Sequence, residues 1–402
     1  MNFQVSAMAL AALAIVSGAG PRAQEPFQDV IRNLRHPKPE SRLDAVTVLN
    51  NNAYAPAAEA VAPLVADADD RVQAAAIDAE LTFFLTEGIN PVRVMGIGNQ
   101  KSRAQEAFDG GPLIRGSAPA PAVLVDKLIV AIRDENPRIR FDAVHALGFI
   151  AEAPLSAPQA AALVAELDHY DPIIRTATAR VLARLRVTAG ADKLVAATVD
   201  SNALVRQFAV LALGRVGEPR VIPQLRQMLT RNKGQLRSEA LLALAELSSS
   251  DDLGLFRTAL TESDPEIRRA GAEGLGRLAD RESLAALDAA FKTDRNAAVR
   301  LAAAFALQRL DQPQSHVIAA SIGDRDLATQ ARDYLFELGV STMPGVEAAF
   351  KVAVDSRARA DLLQMMGYLR APGADAIVEP FTRDQDERVS RAATHALIRL
   401  RR

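Results

Sequence analysis

The sequence predicts an all-α fold, an α-solenoid (superhelix) of about eleven stacked helix pairs with one long insertion. Three observations predict it. An arginine recurs at intervals near 31 residues, small and apolar residues follow it at helical spacing, and acid–proline pairs mark the starts of helices. An interval of 31 residues fits two helices of about 12 residues each and two short turns. No segment alternates between apolar and polar residues over the length of a strand, so no sheet is expected.

The recurring arginine defines the register of the repeats. We call the position that it occupies in each repeat the arginine column. Its residues are Arg42, Gln73, Arg140, Arg175, Arg206, Arg237, Arg268, Arg300, Ala328, Arg359 and Ser390. Residues three, seven and ten positions later are mostly small or apolar, which places them on one stripe of a helix. The position seven later holds Leu49, Leu147, Leu182, Leu213, Leu244, Leu275, Leu307, Leu335, Met366 and Leu397. We expect this second column to form the core between the helices.

The segments Asn136–Gly148 and Asp264–Gly276 are two copies of a frame close to D-P-x-[IV]-R-x-x-A-x-x-A-L-[GA]. The acid caps a helix and the proline is pre-set for its first turn. This frame resembles the HEAT repeat family, and in particular its short, phycobilin-lyase-like repeats. The resemblance covers nearly all of the chain after its N-terminal segment. It implies a stack of helix pairs whose second helices line a concave surface, as found in adaptors, scaffolds, lyases and a few enzymes.

The resemblance also implies that the recurring arginines are structural. Acids at the turns between helices, such as Asp171, Asp200 and Asp264, are expected to pair with them and form a ladder along the stack. The expected ladder arginines are Arg140, Arg175, Arg206, Arg237, Arg268 and Arg300. A basic stripe that binds an acidic partner is the alternative interpretation.

Four segments are predicted along the chain. Residues 1–23 resemble a secretory signal peptide, because the apolar run from Val5 to Val16 is too short to cross a membrane and is followed by small residues. Cleavage after Ala19 or Ala23 would leave a periplasmic or secreted protein without a membrane span. An uncleaved first helix in a cytoplasmic regulator is the alternative. Residues 24–85 are assigned to N-terminal repeats, 86–121 to a Gly- and Pro-rich insertion, and 122–402 to the remaining array.

The composition narrows the possible functions. The 47 basic and 49 acidic residues nearly cancel, so no general attraction to nucleic acid is expected. Aromatic residues are 4% of the chain and tryptophan is absent, which disfavours sites that stack sugars or bases. There is no cysteine, no two of the five histidines lie at ligand spacing, and none precedes a glutamate as in the related deoxyhypusine hydroxylases. No metal, cofactor or catalytic residue is therefore predicted.

The predicted function is a non-catalytic protein–protein interaction scaffold of the cell envelope, monomeric, with its partner along the concave face. Candidate partner-binding residues come from the insertion and from the variable position five residues after the arginine column. They are Arg93, Lys101, Arg103, Phe108, Arg115, His145, Arg180, Glu273 and Phe305.

The insertion at residues 86–121 has two interpretations. It is either a connector or decayed repeat, or a loop that closes over the inner face and contributes to a partner site. The alternative function is a cofactor-handling or lyase-like enzyme with its site under this insertion. The polar groups available for such a site are Arg93, Lys101, Arg103, Glu106, Asp109 and Arg115.

Overall fold

The computed structural model describes residues 27–86, 101–116, 118–152 and 154–401. In these residues the chain forms eleven helix pairs and no β-strand, which confirms the predicted solenoid. One isolated bridge joins Leu85 to Arg115. The predicted signal peptide lies outside the described residues. None of the described helices has the length and apolar character needed to span a membrane.

The second helix of each pair is generally the longer one. These second helices are α2 (Pro39–Asn51), α4 (Asp70–Phe84), α7 (Pro137–Ile150), α9 (Pro172–Arg184), α11 (Ala203–Val216), α13 (Gln235–Leu247), α15 (Pro265–Arg277), α17 (Ala297–Arg309), α19 (Ala328–Leu338), α21 (Ser356–Leu369) and α23 (Glu387–Leu400). The first helices, often extended by a 3-10 turn, are α1 (Gln28–Asn33), α3 (Ala58–Val61), α6 (Ala122–Ala131), α8 (Ala157–Ala165), α10 (Ala191–Ala197), α12 (Ile222–Arg231), α14 (Leu253–Ala259), α16 (Leu284–Thr293), α18 (Ser315–Ala320), α20 (Met343–Val352) and α22 (Ala374–Val378). One further helix, α5 (Arg103–Gly110), and a 3-10 turn over Pro112–Ile114 lie between the second and third pairs.

Most second helices begin directly after a residue whose side chain caps the helix. Asp171 accepts a hydrogen bond from the N–H of Ile173, and Asp264 accepts one from the N–H of Glu266. Such caps satisfy N–H groups that have no partner within the helix. These two carboxylates therefore act as caps rather than as ladder acids. The same capping is made by Asp69, Asn136, Asn202, Asn296, Asp355 and Asp386.

Small residues let successive second helices approach closely. A Cβ added to Gly214 would lie 2.7 Å from the Cα of Ala243, and one added to Gly276 would lie 2.6 Å from the Cα of Ala306. Only glycine fits at such separations, because protein interiors are close-packed. The leucine column is buried between the helices, with Leu275 fully inaccessible to solvent.

Arg175 shows how the arginine column links one pair to the next. Its guanidinium donates to the carbonyl oxygens of His169 (2.7 Å) and Tyr170 (3.0 Å) in the turn before its own helix. It also donates to both carboxylate oxygens of Asp200, at 2.8 Å each, in the turn of the following pair. Equivalent forward pairs are Arg42–Asp67, Arg237–Glu262, Arg268–Asp294 and Arg359–Asp384. We call this row of contacts the edge ladder.

Four of the expected ladder arginines make only part of this pattern, and Arg237 is the one that makes only the forward bond, to Glu262. Arg206 and Arg300 donate to the carbonyl oxygens of their own turns, with no carboxylate bond forward. Arg140 donates to the carbonyl of Asp134 and contacts the ring of His169. Among the expected ladder arginines, all but Arg237 thus bind turn carbonyls, and Arg175, Arg237 and Arg268 bind a forward carboxylate.

The edge ladder continues directly past the insertion. Gln73 stands in the arginine column, and its amide donates to a carboxylate oxygen of Asp134 at 3.0 Å. Asn136 returns a hydrogen bond to Asp70 at 2.8 Å. The second and third helix pairs are therefore joined to each other, and the described residues 101–116 are an addition to a continuous stack.

The stacking changes at the ninth pair, where the step in the arginine column shortens to 28 residues. There α18 packs on α20, and a Cβ added to Gly345 would lie 2.4 Å from the carbonyl carbon of Ser315. Helix α19 instead reaches across the superhelix. Its Tyr334 hydroxyl donates to Glu273 of α15 at 2.6 Å, so the second helices of the seventh and ninth pairs meet on the inner side of the superhelix.

Candidate functional site

Residues 103–115, which we call the inner segment, lie against second helices from both ends of the stack. Arg184 of α9 donates to the carbonyl oxygen of Phe108 at 2.6 Å. Arg399 of α23 donates to the carbonyl oxygen of Arg115, also at 2.6 Å. The inner segment therefore connects the fourth and the eleventh helix pairs across the interior.

Two more side chains of the second helices reach the main chain of the inner segment. The Tyr368 hydroxyl of α21 donates to the carbonyl oxygen of Pro112, and a guanidinium nitrogen of Arg332 on α19 lies 3.5 Å from the carbonyl oxygen of Gly110. Carbonyls at four positions of the segment are thus met by donors from four different helices. The second helices hold this segment largely by its backbone, in the way a peptide groove holds its ligand.

Phe108 is the side-chain anchor of the inner segment. It is 2% exposed, and its ring packs on Gly148, where a Cβ would lie 2.6 Å from the nearest ring atom. The guanidinium carbon of Arg184 lies 3.9 Å from the ring centroid, and that of Arg180 lies 4.9 Å from it. His145 meets the ring edge-on with 5.5 Å between centroids. Cation–π attraction and burial together stabilise the aromatic ring here.

The charge next to this ring is compensated within the chain. Asp109 pairs with Arg180 and with Lys101, whose Nζ lies 2.7 Å from the carboxylate. Burial opposes ionisation, but the hydrogen bonds from Lys101 and Arg180 outweigh it and keep the pKa of Asp109 below its ordinary value. Burial lowers the pKa of His145 to about 4, so its imidazole is neutral at physiological pH.

A second cluster of charges lies where α19 meets α11, α15 and α17. Glu273 receives hydrogen bonds from Arg269 at 3.0 Å and from Arg277 at 2.9 Å. Burial alone would raise the pKa of Glu273, but these two arginines reverse the shift and lower it to about 2. The carboxylate is consequently ionised although it is 4% exposed. We call this cluster the axial network; its members are Arg215, Glu246, Arg269, Glu273, Arg277, Arg309, Asp333, Tyr334 and Glu337.

The axial network lines a polar cavity of about 640 Å³ that is open to solvent on one side. Arg215 bonds to Asp333 at 2.6 Å, and Glu337 accepts from Arg277 at 2.8 Å and from Arg309 at 3.2 Å. These contacts join helices that are up to 118 residues apart in sequence. In the described parts of the chain, no group of acidic and histidine side chains is arranged to hold a metal ion.

The structure brings four of the predicted partner-binding residues together, namely Lys101, Phe108, His145 and Arg180, around the inner segment. Arg103 and Arg115 are the two ends of the inner segment, and their side chains pair with acids outside it. Arg103 pairs with Asp78 at 2.7 Å, Arg115 pairs with Glu152 at 2.9 Å, and Arg93 lies outside the described residues.

Three predicted partner-binding side chains are interior rather than surface groups. His145 is 1% exposed, Glu273 4% and Phe305 fully buried, the last stacked on Tyr334 with 4.3 Å between ring centroids. The sequence-based expectation treated their column as a variable surface lining an open groove. In the structure these residues contact other residues of the same chain: His145 contacts Phe108, Glu273 contacts Tyr334, and Phe305 stacks on Tyr334.

The column of side chains that faces the axis was not predicted from the sequence. It lies nine residues after the arginine column, which is one helical turn beyond the position, five residues after that column, from which the candidate residues were taken. From the third helix pair onward its members are Phe149, Arg184, Arg215, Glu246, Arg277, Arg309, Glu337, Tyr368 and Arg399. Long polar side chains at this recurring position were a detectable signal for the interior contacts.

Comparison with known proteins identifies the repeats. The family model for HEAT repeats matches residues 160–245 and 232–308, so the predicted resemblance is confirmed for this part of the chain. HEAT repeats usually mediate protein binding, which indicates a protein-interaction scaffold. No curated protein sequence matches the chain.

Several solved structures are similar to this chain at low sequence identity. An engineered protein is 18% identical, with 93% of this chain and 98% of that chain covered and a TM-score of 0.42. The complex of CpcE and CpcF of phycocyanin lyase from Nostoc is 19% identical over 62% of this chain and 97% of that one, with a TM-score of 0.40. Importin beta is 12% identical over 92% of this chain and 57% of that one, with a TM-score of 0.35. None of these scores reaches 0.5, so the likenesses carry no information about function.

Proposed function

We propose that this protein is a non-catalytic scaffold of the cell envelope that binds extended polypeptide along the inner side of its superhelix. The supporting observation is the row of donors from α9, α19, α21 and α23 that meets backbone carbonyls of the inner segment. Recognition of backbone carbonyls does not depend on the side chains of the bound segment. The same donors could therefore serve a partner polypeptide.

The inner face can be tested directly by site-specific photo-cross-linking in the native envelope. A photoreactive residue replaces Arg186, an exposed residue that lines the axial cavity, and, as the matched control, Glu59, an exposed residue of the first helix α3. The proposal expects discrete polypeptide adducts at position 186 and only background at position 59. Equal labelling at both positions, or random background at both, would contradict it.

The envelope location rests on the apolar run from Val5 to Val16 and the small residues that follow it. The mass of the purified mature chain tests it, since cleavage after Ala19 or Ala23 would leave Gly20 or Gln24 as the N-terminus. An intact Met1 would contradict export by this signal. The monomeric state stays a prediction, which sedimentation of the same sample would check.

The alternative of an enzyme with its site under the insertion gains no support from the described contacts. Lys101 and Asp109 pair with each other, and Arg103 is engaged with Asp78. These groups are therefore used in holding the inner segment in place.

A further inference from the structure

We infer that the inner segment is a built-in ligand, which occupies the inner face until a partner segment with an aromatic residue followed by an acidic residue replaces it. This inference rests on the proposed function and specifies the chemistry of the partner. In the structure described above, the inner segment would then block the scaffold's own binding face.

The stack of helix pairs holds together across the insertion without the inner segment. Gln73 bonds to Asp134 at 3.0 Å and Asn136 to Asp70 at 2.8 Å, so the second and third pairs meet directly. Helix α6 also packs on the 3-10 turn over Ala62–Ala66, which ends the first half of the second pair. Release of the inner segment would therefore leave the edge ladder unbroken.

The site of the Phe108 ring is provided by the repeats themselves. At Gly214 the missing side chain gives room to Ala243 of the next second helix. At the equivalent position Gly148, the same absence also gives room to the Phe108 ring. Arg184 lies over this ring at 3.9 Å, which favours an aromatic group over an aliphatic one.

The preference for an acidic residue in the partner segment follows from the cations beside the Phe108 ring. Arg180 lies 4.9 Å from the Phe108 centroid and pairs with Asp109, and Lys101, two residues before the inner segment, is the second cation on this carboxylate. A partner acid directly after its aromatic residue would replace Asp109 on Arg180. Lys101 would leave together with the inner segment, so Arg180 would be the cation that pairs with the acidic residue of the partner.

The path of the backbone after this pair adds a further requirement. Gly111 has a φ of 79°, in the left-handed region that glycine adopts at little cost. The next carbonyls are met by Tyr368 and, at the end of the segment, by Arg399. A partner that follows the same path would therefore carry a glycine three residues after its aromatic anchor.

A tethered ligand competes at an effective concentration on the order of millimolar. A free peptide should therefore bind poorly to the wild-type protein and better to a variant whose own segment is weakened. The probe is a fluorescent peptide with the sequence of residues 103–116, and binding is measured by fluorescence anisotropy with the full chain.

Phe108→Ala in the protein removes the internal anchor and leaves its site open. We expect this variant to bind the peptide at least tenfold more tightly than the wild-type protein does. A peptide carrying Phe108→Ala should bind the same variant at least tenfold more weakly. Adding Arg184→Met to the Phe108→Ala protein should also abolish the gain, because it removes both the cation and a donor to the backbone.

Asp109→Asn is the second variant, in case Phe108→Ala does not fold. It keeps the aromatic ring and weakens only the contacts with Arg180 and Lys101, so a smaller gain of about threefold is expected. Circular dichroism establishes which variants keep wild-type helicity. If the folded variants bind the peptide no better than the wild type, the inner segment is a permanent part of the core and the inference is wrong.

The two proposals fail in different ways. Envelope adducts at position 186 without peptide binding by the variants would leave the scaffold intact and refute the built-in ligand. Peptide binding by Phe108→Ala without any adduct in the wild type or the variant would show an inner face that can bind peptide and refute its use as a scaffold in the cell.

Discussion

The edge ladder and the axial network use the same residue types for different purposes. In the edge ladder, Arg175 and Asp200 are 25 residues apart, and their side chains are 13% and 14% exposed. In the axial network, Glu273 is 5% exposed in its side chain and accepts from Arg269, Arg277 and Tyr334, the last 61 residues away. The first contact recurs along the stack, whereas the second is made once.

This difference separates local order from global closure. An edge-ladder arginine fixes the turn before its own helix and the position of the next pair, so its effect is confined to neighbours. The axial network joins helices that do not follow one another, and it fixes how the superhelix winds. Removing a contact should therefore lower the free energy of unfolding more in the axial network than in the edge ladder.

Glu273→Gln should produce the largest loss. It leaves Arg269 and Arg277 in the interior without their shared carboxylate, and breaking a buried ion pair in this way costs about 3–5 kcal/mol. Urea denaturation followed by circular dichroism measures the free energy of unfolding. Glu266→Gln is the control, since Glu266 is a more exposed partner of Arg269 at 3.5 Å. A loss below about 1 kcal/mol for Glu273→Gln would show that the axial network is not a closing contact.

Leu275→Ala provides the packing reference for both regions. The residue is fully buried in the leucine column, so its truncation should cost about 2–5 kcal/mol in the same denaturation experiment. Leu204→Ala is the matched control, because Leu204 is 55% exposed and should lose no more than about 0.5 kcal/mol. Equal losses at the two positions would place the leucine column in the wrong register.

The Glu246 carboxylate should give the axial network a pH dependence of its own. Burial raises the pKa of Glu246 from 4.5 to about 6, against the opposing effect of Arg215 and Arg277. The folded state therefore holds this proton more tightly than the unfolded state. The stability that it contributes is complete below pH 4.5 and is lost as the pH rises through 6.

Glu246→Gln removes this titration. The free energy of unfolding of the variant, relative to the wild type, should rise by about 1–2 kcal/mol between pH 4.5 and pH 7. Denaturation at several pH values measures the difference, with Glu59→Gln on the exposed face of α3 as the parallel control. A difference that does not change with pH would mean that the carboxylate titrates alike in both states.

The smallest effect is expected within the edge ladder. Arg175 bonds to two turn carbonyls and to Asp200, whereas Arg206 bonds to two turn carbonyls only. Arg175→Met should therefore destabilise the protein by about 1 kcal/mol more than Arg206→Met, and added salt should reduce this difference. Identical losses would show that the forward carboxylate contributes nothing measurable.

The repeat architecture could be predicted because its causes are local. A cap such as Asp264, a proline such as Pro265 and a leucine such as Leu275 each act within one helix or between neighbours, and all three recur at fixed spacing. The seven-residue offset from the arginine column to the core leucine follows from the helical period alone.

The contacts between distant second helices on the inner side could not be predicted in the same way. Whether second helices line a groove or meet across the axis depends on a small rotation at each step, summed over many steps. Tyr334 and Glu273 meet although 61 residues separate them, and no single repeat contains that information. The 28-residue step before Ala328 was the visible irregularity, but its consequence for α19 required the three-dimensional structure.

The contacts of the inner segment have a consequence for the order of folding during synthesis. The carbonyls of Pro112 and Arg115 are bound by side chains 256 and 284 residues further along the chain. At roughly 5–20 residues per second, a ribosome needs about 15–60 s to add that length. The neighbouring repeats can form as they emerge, whereas the inner segment waits for the last helices before all its contacts are available. Until α19, α21 and α23 have been made, the inner segment can be held only by earlier helices, through contacts such as the one from Arg184 to the carbonyl oxygen of Phe108.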